Sequence, residues 1–372
     1  MKQKVLIFHK GLAPYRIDFF NEVNNTFNAK FYFDHKSHAD NSFSHFSENY
    51  LNSKCNFTIN YLERGFEFGG RSFRFGLGFI LKKEKPEIVI CNEYCPVTII
   101  VFLYYVFFKK KFRLYTISDD SLDNCIKRKG LRSIVRNIVS KNIDGIIFPS
   151  KKVCHWYANN ISQKPKTLEL PIIHKDSVFR EDLAKSLDIA RKNIGLYNIE
   201  NKKVILYVGR LVELKNLSVL INVFSKLNDP ITALVIVGDG PLMNNLQELV
   251  RAVNISQQVY FTYSKEGYEL LSWYAIAKLF VLPSTFEQFG AVVNEALLSG
   301  CNVLCSDRAG ASSLITENNG LLFDPYNEEE LHGKIKNMLS REEATINGII
   351  TLRENKMPFT FDEKIKALFA NL

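Results

Sequence analysis

The stretch Leu279-Phe-Val-Leu-Pro283-Ser-Thr-Phe-Glu287-Gln-Phe-Gly290-Ala-Val-Val-Asn-Glu295 decides the fold. Leu279–Leu282 is a short apolar run of the kind that forms a buried parallel strand. Pro283-Ser284-Thr285 punctuates it as a turn. The spacing then predicts a helix over Ala291–Ser299. Glu287 falls in the loop at the carboxyl end of the strand, and Glu295 falls on the helix. Gly290 permits close backbone approach to a ligand, and the free N–H groups of a helix start can hold a phosphate or developing negative charge. Taken alone, Glu295 reads equally well as a surface carboxylate.

The same strand–loop–helix unit repeats outward in both directions. Strands are predicted at Lys203–Val208, Ala233–Val237, Gln258–Phe261 and Asn302–Ser306. Helices are predicted at Leu217–Leu227, Leu242–Val253 and Tyr268–Ala275. The first half alternates in the same way. Val5–Phe8, Glu87–Cys91, Arg113–Ile117 and Gly145–Pro149 read as strands, and Pro14–Asn24, Thr98–Phe108 and Leu131–Ser140 as helices. Such alternation means parallel sheets covered by helices. The pattern breaks around Leu170-Pro171, with a helix expected near Ser177–Gly195. This gives a first domain at 1–170 and a second at 171–357, both Rossmann-like. The 372 residues are too many for one core. Phe361, Ile365, Leu368 and Phe369 recur at helical spacing within 358–372.

Charge is divided unequally. Residues 1–175 carry 28 Lys and Arg against 15 Asp and Glu, and the remainder carries 20 against 24. A basic first half suggests an anionic partner. The seven cysteines form no CxxC pair, which reads as a reduced set and not as a disulfide framework or zinc site. The N-terminal apolar run is too short for a signal peptide. The apolar run Val97–Phe108, ending in Lys109-Lys110-Lys111, is too short to span a bilayer.

Two further loops follow strands. Gly209-Arg210-Leu-Val-Glu213-Leu-Lys215-Asn216 places two cations five residues apart, where both can face one anion; Arg offers a fork and Lys a compact charge. Taken alone, they read equally well as solvated loop cations. Gly238-Asp-Gly-Pro241 is a strand-end turn, short of a dinucleotide fingerprint.

Taken in order, GR…KN, GDGP, PS…E-x-FG…E-A…G and Asn319-Gly-Leu-Leu-Phe-Asp-Pro325 resemble the retaining glycosyltransferases of family 4. That resemblance implies the GT-B fold, an α/β architecture of two Rossmann-like parallel-sheet domains facing each other across a deep cleft. It implies that Arg210 and Lys215 grip the donor diphosphate and that Glu295 accepts hydrogen bonds from the ribose. Glu287 would contact the donor sugar beside Phe289, Gly290 and Ala291, with Gly238 also on the donor side. Arg210, Lys215 and Glu287 would then carry the chemistry. The donor would be a UDP- or GDP-sugar as co-substrate, with no separate cofactor and no metal. Two cations and a helix N-terminus can stabilise a leaving diphosphate, and no DxD motif is evident.

The acceptor site is expected in the first domain, around Gly11, Tyr15, Arg16, Ser118 and Asp119. Three departures from the family pattern stand out. The loop His9-Lys-Gly11-Leu-Ala-Pro-Tyr15-Arg16 holds one glycine where members often have two. Ser118 or Asp119 stands where many have a histidine. Phe261-Thr-Tyr263 lacks the usual glycine. A terminal helix in this fold would cross back to the first domain and hinge the two halves.

Leu131, Ile134, Val135, Ile138 and Val139 mark one helix face, with Arg132 and Arg136 opposite and Lys127-Arg128-Lys129 just before. The expectation is that the apolar face covers the sheet and the cations face outward, toward anionic lipid. Arg71-Ser-Phe73-Arg74-Phe75 and Phe79-Ile-Leu-Lys82-Lys83 form a second basic-aromatic patch, and Val97–Phe108 reads as a buried helix. These features point to a cytoplasmic, peripheral enzyme on the inner face of the membrane, acting on a lipid-linked or saccharide acceptor in bacterial cell-surface polysaccharide synthesis. A GT-B epimerase or phosphorylase is the alternative enzyme class, though no lysine motif for pyridoxal phosphate appears. A nucleic-acid partner is disfavoured, because no recognisable module accompanies the basic charge.

Overall fold

The computed structural model describes residues 2–34, 48–108, 111–340 and 350–372. The chain divides into two compact units, Met1–Ile172 with Asp362–Leu372, and Ile173–Phe361.

The first unit runs β1 (Lys4–His9), α1 (Ile17–Thr26), β2 (Asn28–Phe33), α2 (Glu48–Ser53), β3 (Ile59–Tyr61), β4 (Gly65–Phe68), β5 (Arg71–Arg74) and α3 (Leu77–Glu84). It continues with β6 (Ile88–Asn92), α4 (Pro96–Phe107), β7 (Arg113–Ile117), α5 (Leu122–Lys127), α6 (Leu131–Ser140), β8 (Gly145–Phe148), α7 (Lys151–Asn160) and β9 (Lys166–Glu169). Seven of these strands form a parallel sheet in the order β3-β2-β1-β6-β7-β8-β9. β4 and β5 form a separate antiparallel hairpin, turned by Gly69 and Gly70, both at positive φ as a tight primed turn requires. The last helix, Phe361–Phe369, sets Phe369 edge-on against Phe27 at 5.0 Å, and Lys364 pairs with Glu169 at 2.6 Å.

The second unit runs α8 (Asp176–Lys185), α9 (Leu187–Leu196), β10 (Lys203–Val208), α10 (Leu217–Leu227), β11 (Thr232–Val237), α11 (Met243–Ala252) and β12 (Val259–Tyr263). α12 (Gly267–Ile276), β13 (Leu279–Leu282), α13 (Ala291–Leu298), β14 (Asn302–Ser306), β15 (Gly320–Phe323) and α14 (Glu328–Ser340) complete it. Its parallel sheet has the order β12-β11-β10-β13-β14-β15. β11 and β13 are buried at every position, so both strands read as continuous apolar runs instead of alternating ones. Both units are Rossmann-like.

Three expectations change. The helix expected over Ser177–Gly195 is two helices that meet at buried Ser186, whose hydroxyl donates to the Leu183 carbonyl at 2.7 Å; this local bond competes with helix continuation. The orientation expected for α6 is reversed. Ile134 and Ile138 are 55% and 53% exposed and Val135 is also exposed, whereas Val139, Ser140 and Arg136 are buried. Arg136 turns inward because it pairs with Asp120, which is wholly buried. An unpaired buried carboxylate costs more than solvating three aliphatic side chains, so the ion pair decides which face packs. The side chains of Leu131 and Arg132 lie outside the description, as do Lys109 and Lys110.

The expectation of a buried helix at Val97–Phe108 also changes: α4 is half-buried, with Val97, Val101, Phe102 and Tyr105 inward and Leu103, Val106, Phe107 and Phe108 exposed. Among the described residues, no helix is long and apolar enough to cross a membrane.

Candidate active site

In the second sheet the chain changes direction between β10 and β13, since β11 and β12 lie on one side and β14 and β15 on the other. Ligands of open α/β sheets bind outside the carboxyl ends of strands at such a switch point. The loops that leave β10, β11 and β13 carry the sequence-predicted donor residues, and backbone bonds join these loops.

The Leu211 N–H donates to the Asp239 carbonyl at 2.9 Å and the Leu242 N–H to the Leu211 carbonyl at 3.2 Å, so the GDGP turn is fastened to the Arg210 loop. Gly238 has φ +147°, and a Cβ there would strike the Gly209 carbonyl. The geometry thus gives this glycine a packing reason of its own. The Thr285 N–H donates to the Leu214 carbonyl at 2.9 Å, which brings the β13 loop to the Glu213–Lys215 turn.

Lys215 and Glu287 form an ion pair there, both about four-fifths buried. Arg210 is exposed and forms no ion pair among the described residues. Its carbonyl accepts the Tyr207 hydroxyl at 3.1 Å. Burial, with Glu287 nearby, pushes that hydroxyl well above its usual range and keeps it a donor. Asn216, at left-handed φ 54°, donates to the Pro325 carbonyl at 2.9 Å. That bond ties the Lys215-Asn216 turn to the segment that follows β15. Asn319 is buried, donating to the Leu314 and Lys356 carbonyls at 3.0 Å each.

Gly290 caps α13 at φ +95°, and a Cβ there would press Leu282 and Glu287 at 3.0 and 3.1 Å. The first N–H groups of α13 open beside the same loop, because the first turn of a helix has no intrahelical partners for them. Phe289 is buried, and its carbonyl accepts the Ala311 N–H at 2.6 Å. Ala291 is partly exposed at the helix start.

Glu295 is held by two residues that sequence reasoning missed. Tyr274, wholly buried, donates to one carboxylate oxygen at 2.8 Å. His174 approaches the other at 3.3 Å, and the His174 N–H donates to Asn294 at 2.9 Å. Burial and the Glu295 charge push the Tyr274 hydroxyl well up. Neither residue belongs to a motif. His174 follows the break at Pro171, and Tyr274 sits in an ordinary apolar helix.

The first-unit candidates also come together, in a different condition. Arg16 pairs with Asp119, and the Tyr15 hydroxyl donates to Asp119 at 3.3 Å. Burial, with Asp119 beside it, pushes the Tyr15 hydroxyl up. Ser118 donates to Asp120 at 2.6 Å, and Asp120 also holds Arg128 and Arg136. Arg16, Ser118, Asp119 and Asp120 are all buried, so their polar groups serve one another. Gly11 is partly exposed, and its carbonyl lies 2.7 Å from His9 Nδ1. Among the described residues, no three or more His, Cys, Asp or Glu side chains group as a metal site would require.

Residues 191–348 match the family described as Glycosyl transferases group 1. The chain is 33% identical over 156 residues to the sulfoquinovosyl transferase SQD2 of Arabidopsis thaliana, covering 41% of this chain and 29% of that protein. It is 28% identical over 224 residues to a Campylobacter jejuni protein, N-acetylgalactosamine-N,N'-diacetylbacillosaminyl-diphospho-undecaprenol 4-alpha-N-acetylgalactosaminyltransferase, covering 56% of each. The chain thus spans about half or less of these curated relatives. Among solved structures, Anabaena HepE in complex with UDP superposes with TM-score 0.72 at 16% identity, covering 98% of this chain and 96% of that one. The sucrose-phosphate synthase of Thermosynechococcus elongatus gives 0.66 at 18%, covering 99% and 95%. Both likenesses establish the fold.

Proposed function

We propose that the protein is a retaining glycosyltransferase that moves a sugar from a UDP- or GDP-sugar to a lipid-linked or saccharide acceptor in cell-surface polysaccharide synthesis. The observation that carries this reading is the meeting of Lys215 with Glu287, beside exposed Arg210, at the switch point of the second sheet. HepE was solved with UDP, which supports a nucleotide-sugar donor for a chain of the same fold.

Departure of a nucleoside diphosphate builds negative charge on the oxygen that leaves the anomeric carbon. Arg210 offers a free guanidinium fork to that charge, and Lys215 a compact ammonium. The α13 N-terminus adds its unpaired N–H groups. Together these groups supply the electrostatic stabilisation without calling on a metal. Before donor enters, Glu287 neutralises Lys215, so binding exchanges a carboxylate partner for phosphate and frees Glu287 toward the sugar. Glu295, steadied by Tyr274 and His174, presents its carboxylate to ribose hydroxyls.

The first unit provides the acceptor side and the membrane contact, at the inner face of the cytoplasmic membrane. The exposed aliphatic face of α6, with Ile126 of α5, is flanked in sequence by Lys127, Lys129 and Lys141, all exposed. Phe68, Phe79 and Phe107 are likewise exposed, with Arg71, Lys82 and Lys83 in the same segments. Apolar side chains rimmed by cations suit an anionic bilayer.

A thermal-shift panel of UDP-, GDP- and ADP-sugars tests the donor assignment, since a ligand of the folded state raises its melting temperature. Stabilisation by one nucleotide family is expected; no shift with any of them contradicts the reading. Flotation on anionic and neutral vesicles at low salt tests the membrane contact, and equal recovery on both removes it.

A further inference from the structure

At the carboxyl end of β6 in the first sheet stands a carboxylate that the neighbouring ion-pair network leaves unused. Arg16 is matched by Asp119, and Arg128 and Arg136 are matched by Asp120. Glu93, the residue after β6, lies within electrostatic reach of Asp119, Asp120, Arg128 and Arg136. It forms no ion pair or side-chain hydrogen bond among the described residues, and it is partly exposed where both aspartates are buried.

Its backbone is strained and fixed. Glu93 has φ 49°, in the left-handed region that a glutamate seldom occupies. The conformation is held from both sides. The Glu93 N–H donates to the Ile117 carbonyl at 2.6 Å, and its own carbonyl accepts the Thr116 hydroxyl at 2.6 Å. Strain of this kind persists where surrounding structure enforces it and often marks a functional position.

The place in the fold points to a ligand independently. In the first sheet β2 and β3 lie on one side of β1, and β7, β8 and β9 lie beyond β6. The chain therefore switches direction between β1 and β6, the position outside which open α/β sheets bind ligands. Glu93 follows β6, and Gly11 and Tyr15 follow β1.

We propose that Glu93 is an acceptor-binding residue whose ionised carboxylate accepts hydrogen bonds from hydroxyls of a neutral sugar on the first unit. This rests on the glycosyltransferase reading above and names the chemistry its acceptor must offer. A cationic ligand would join three arginines, and an anionic one would join three carboxylates. Neutral hydroxyls satisfy the carboxylate while leaving the surrounding charges balanced. Burial and the two aspartates push the Glu93 carboxyl up to about 7, against the pull of Arg128 and Arg136. The ionised, hydrogen-bond-accepting form therefore gains ground as pH rises through neutrality, and the acceptor tightens in the same direction. Tyr15 also faces this group, with its hydroxyl pushed up and so protonated throughout that window.

Titration of octyl glucoside, octyl galactoside and octyl N-acetylglucosaminide into the intact protein at pH 6 and pH 8, followed by saturation-transfer NMR, reads this directly. For wild type, at least one glycoside is expected to bind about fivefold more tightly at pH 8. Glu93→Gln should weaken that glycoside by about tenfold at pH 8, the worth of one hydrogen bond to a charged group, and flatten the pH response. Glu93→Asp should keep the pH response at reduced affinity. Asp34, whose carboxyl burial also pushes up to about 7, remains in both variants and controls for the background titration. Wild-type affinity and pH response in Glu93→Gln overturn the proposal, as does failure of all three glycosides to bind wild type. UDP titration of the same samples separates the two levels. UDP binding at wild-type strength in Glu93→Gln shows a folded second unit. A wild type that binds neither UDP nor GDP sinks the transferase reading and leaves the glycoside result to judge Glu93 alone.

Discussion

Both units set arginine or lysine against aspartate or glutamate at the carboxyl ends of parallel strands, and burial separates their roles. In the first unit Arg16, Asp119, Asp120 and Arg136 are nearly inaccessible and form ion pairs with one another. In the second, Lys215 and Glu287 keep part of their surface in solvent, and Arg210 has no charged partner among the described residues. A buried, mutually paired network stabilises a fold mainly because breaking it strands a charge. A pair that keeps even a fifth of its surface in solvent can exchange its partner for a ligand more readily than a fully buried one. Residue type alone therefore does not distinguish scaffold from site.

Substitutions should divide along this line. The largest effect on folding is expected for Asp120→Ala, which leaves Arg128 and Arg136 facing an empty, buried position. A loss of ~3–5 kcal/mol follows from removing one partner of a buried ion network, and chemical denaturation measures it. A loss below ~1 kcal/mol would place that network among the ordinary surface pairs. Lys215→Ala should do the reverse. Turnover should fall ~10²–10³-fold, as when one oxyanion-stabilising donor is removed. Its unfolding free energy should fall by less than in Asp120→Ala, because Glu287 keeps some access to solvent. A steady-state assay beside a melting curve reads both, and an equal loss of stability in the two variants would erase the contrast.

Asp34 gives a smaller, pH-dependent test within the first unit. Its carboxyl, wholly enclosed at the end of β2, is pushed by burial up to about 7, against the Arg74 charge. The folded state thus holds a proton that the unfolded chain releases near pH 4, so stability falls as pH rises from about 4 toward 7. Asp34→Asn should raise stability by ~1–3 kcal/mol at pH 8 and leave it nearly unchanged at pH 4. A gain of the same size at both pH values would contradict the burial argument.

Much of the second unit was legible because its strands are continuous apolar runs ended by glycine or proline, as at Leu279–Leu282 and Thr232–Val237. The first unit was harder to read. β2 mixes Asn28 and Lys30 with its aromatics, β3 has three residues, and β9 is a four-residue edge strand with a single apolar side chain. Periodicity gave α6 the wrong inward face, because an amphipathic pattern shows where the apolar stripe lies and not what else must be buried. The pairing of Arg136 with Asp120 joins positions sixteen residues apart, and no local pattern reports it. Likewise the donor-side residues Arg210, Lys215, Glu287 and Glu295 were marked by spacing. The residues that steady Glu295, Tyr274 and His174, became visible only once α12 and the chain after Pro171 were seen beside α13. Glu93 was passed over because a lone glutamate after a strand carries no motif.

Calorimetric titration of UDP and GDP into wild type, Arg210→Ala, Lys215→Ala and Glu295→Ala tests the central claim most directly. One nucleotide is expected to bind wild type, and each substitution should weaken it by about tenfold or more, the worth of one charge-assisted contact, with the melting temperature held. Wild-type affinity in all three variants would show that these side chains do not share a nucleotide diphosphate.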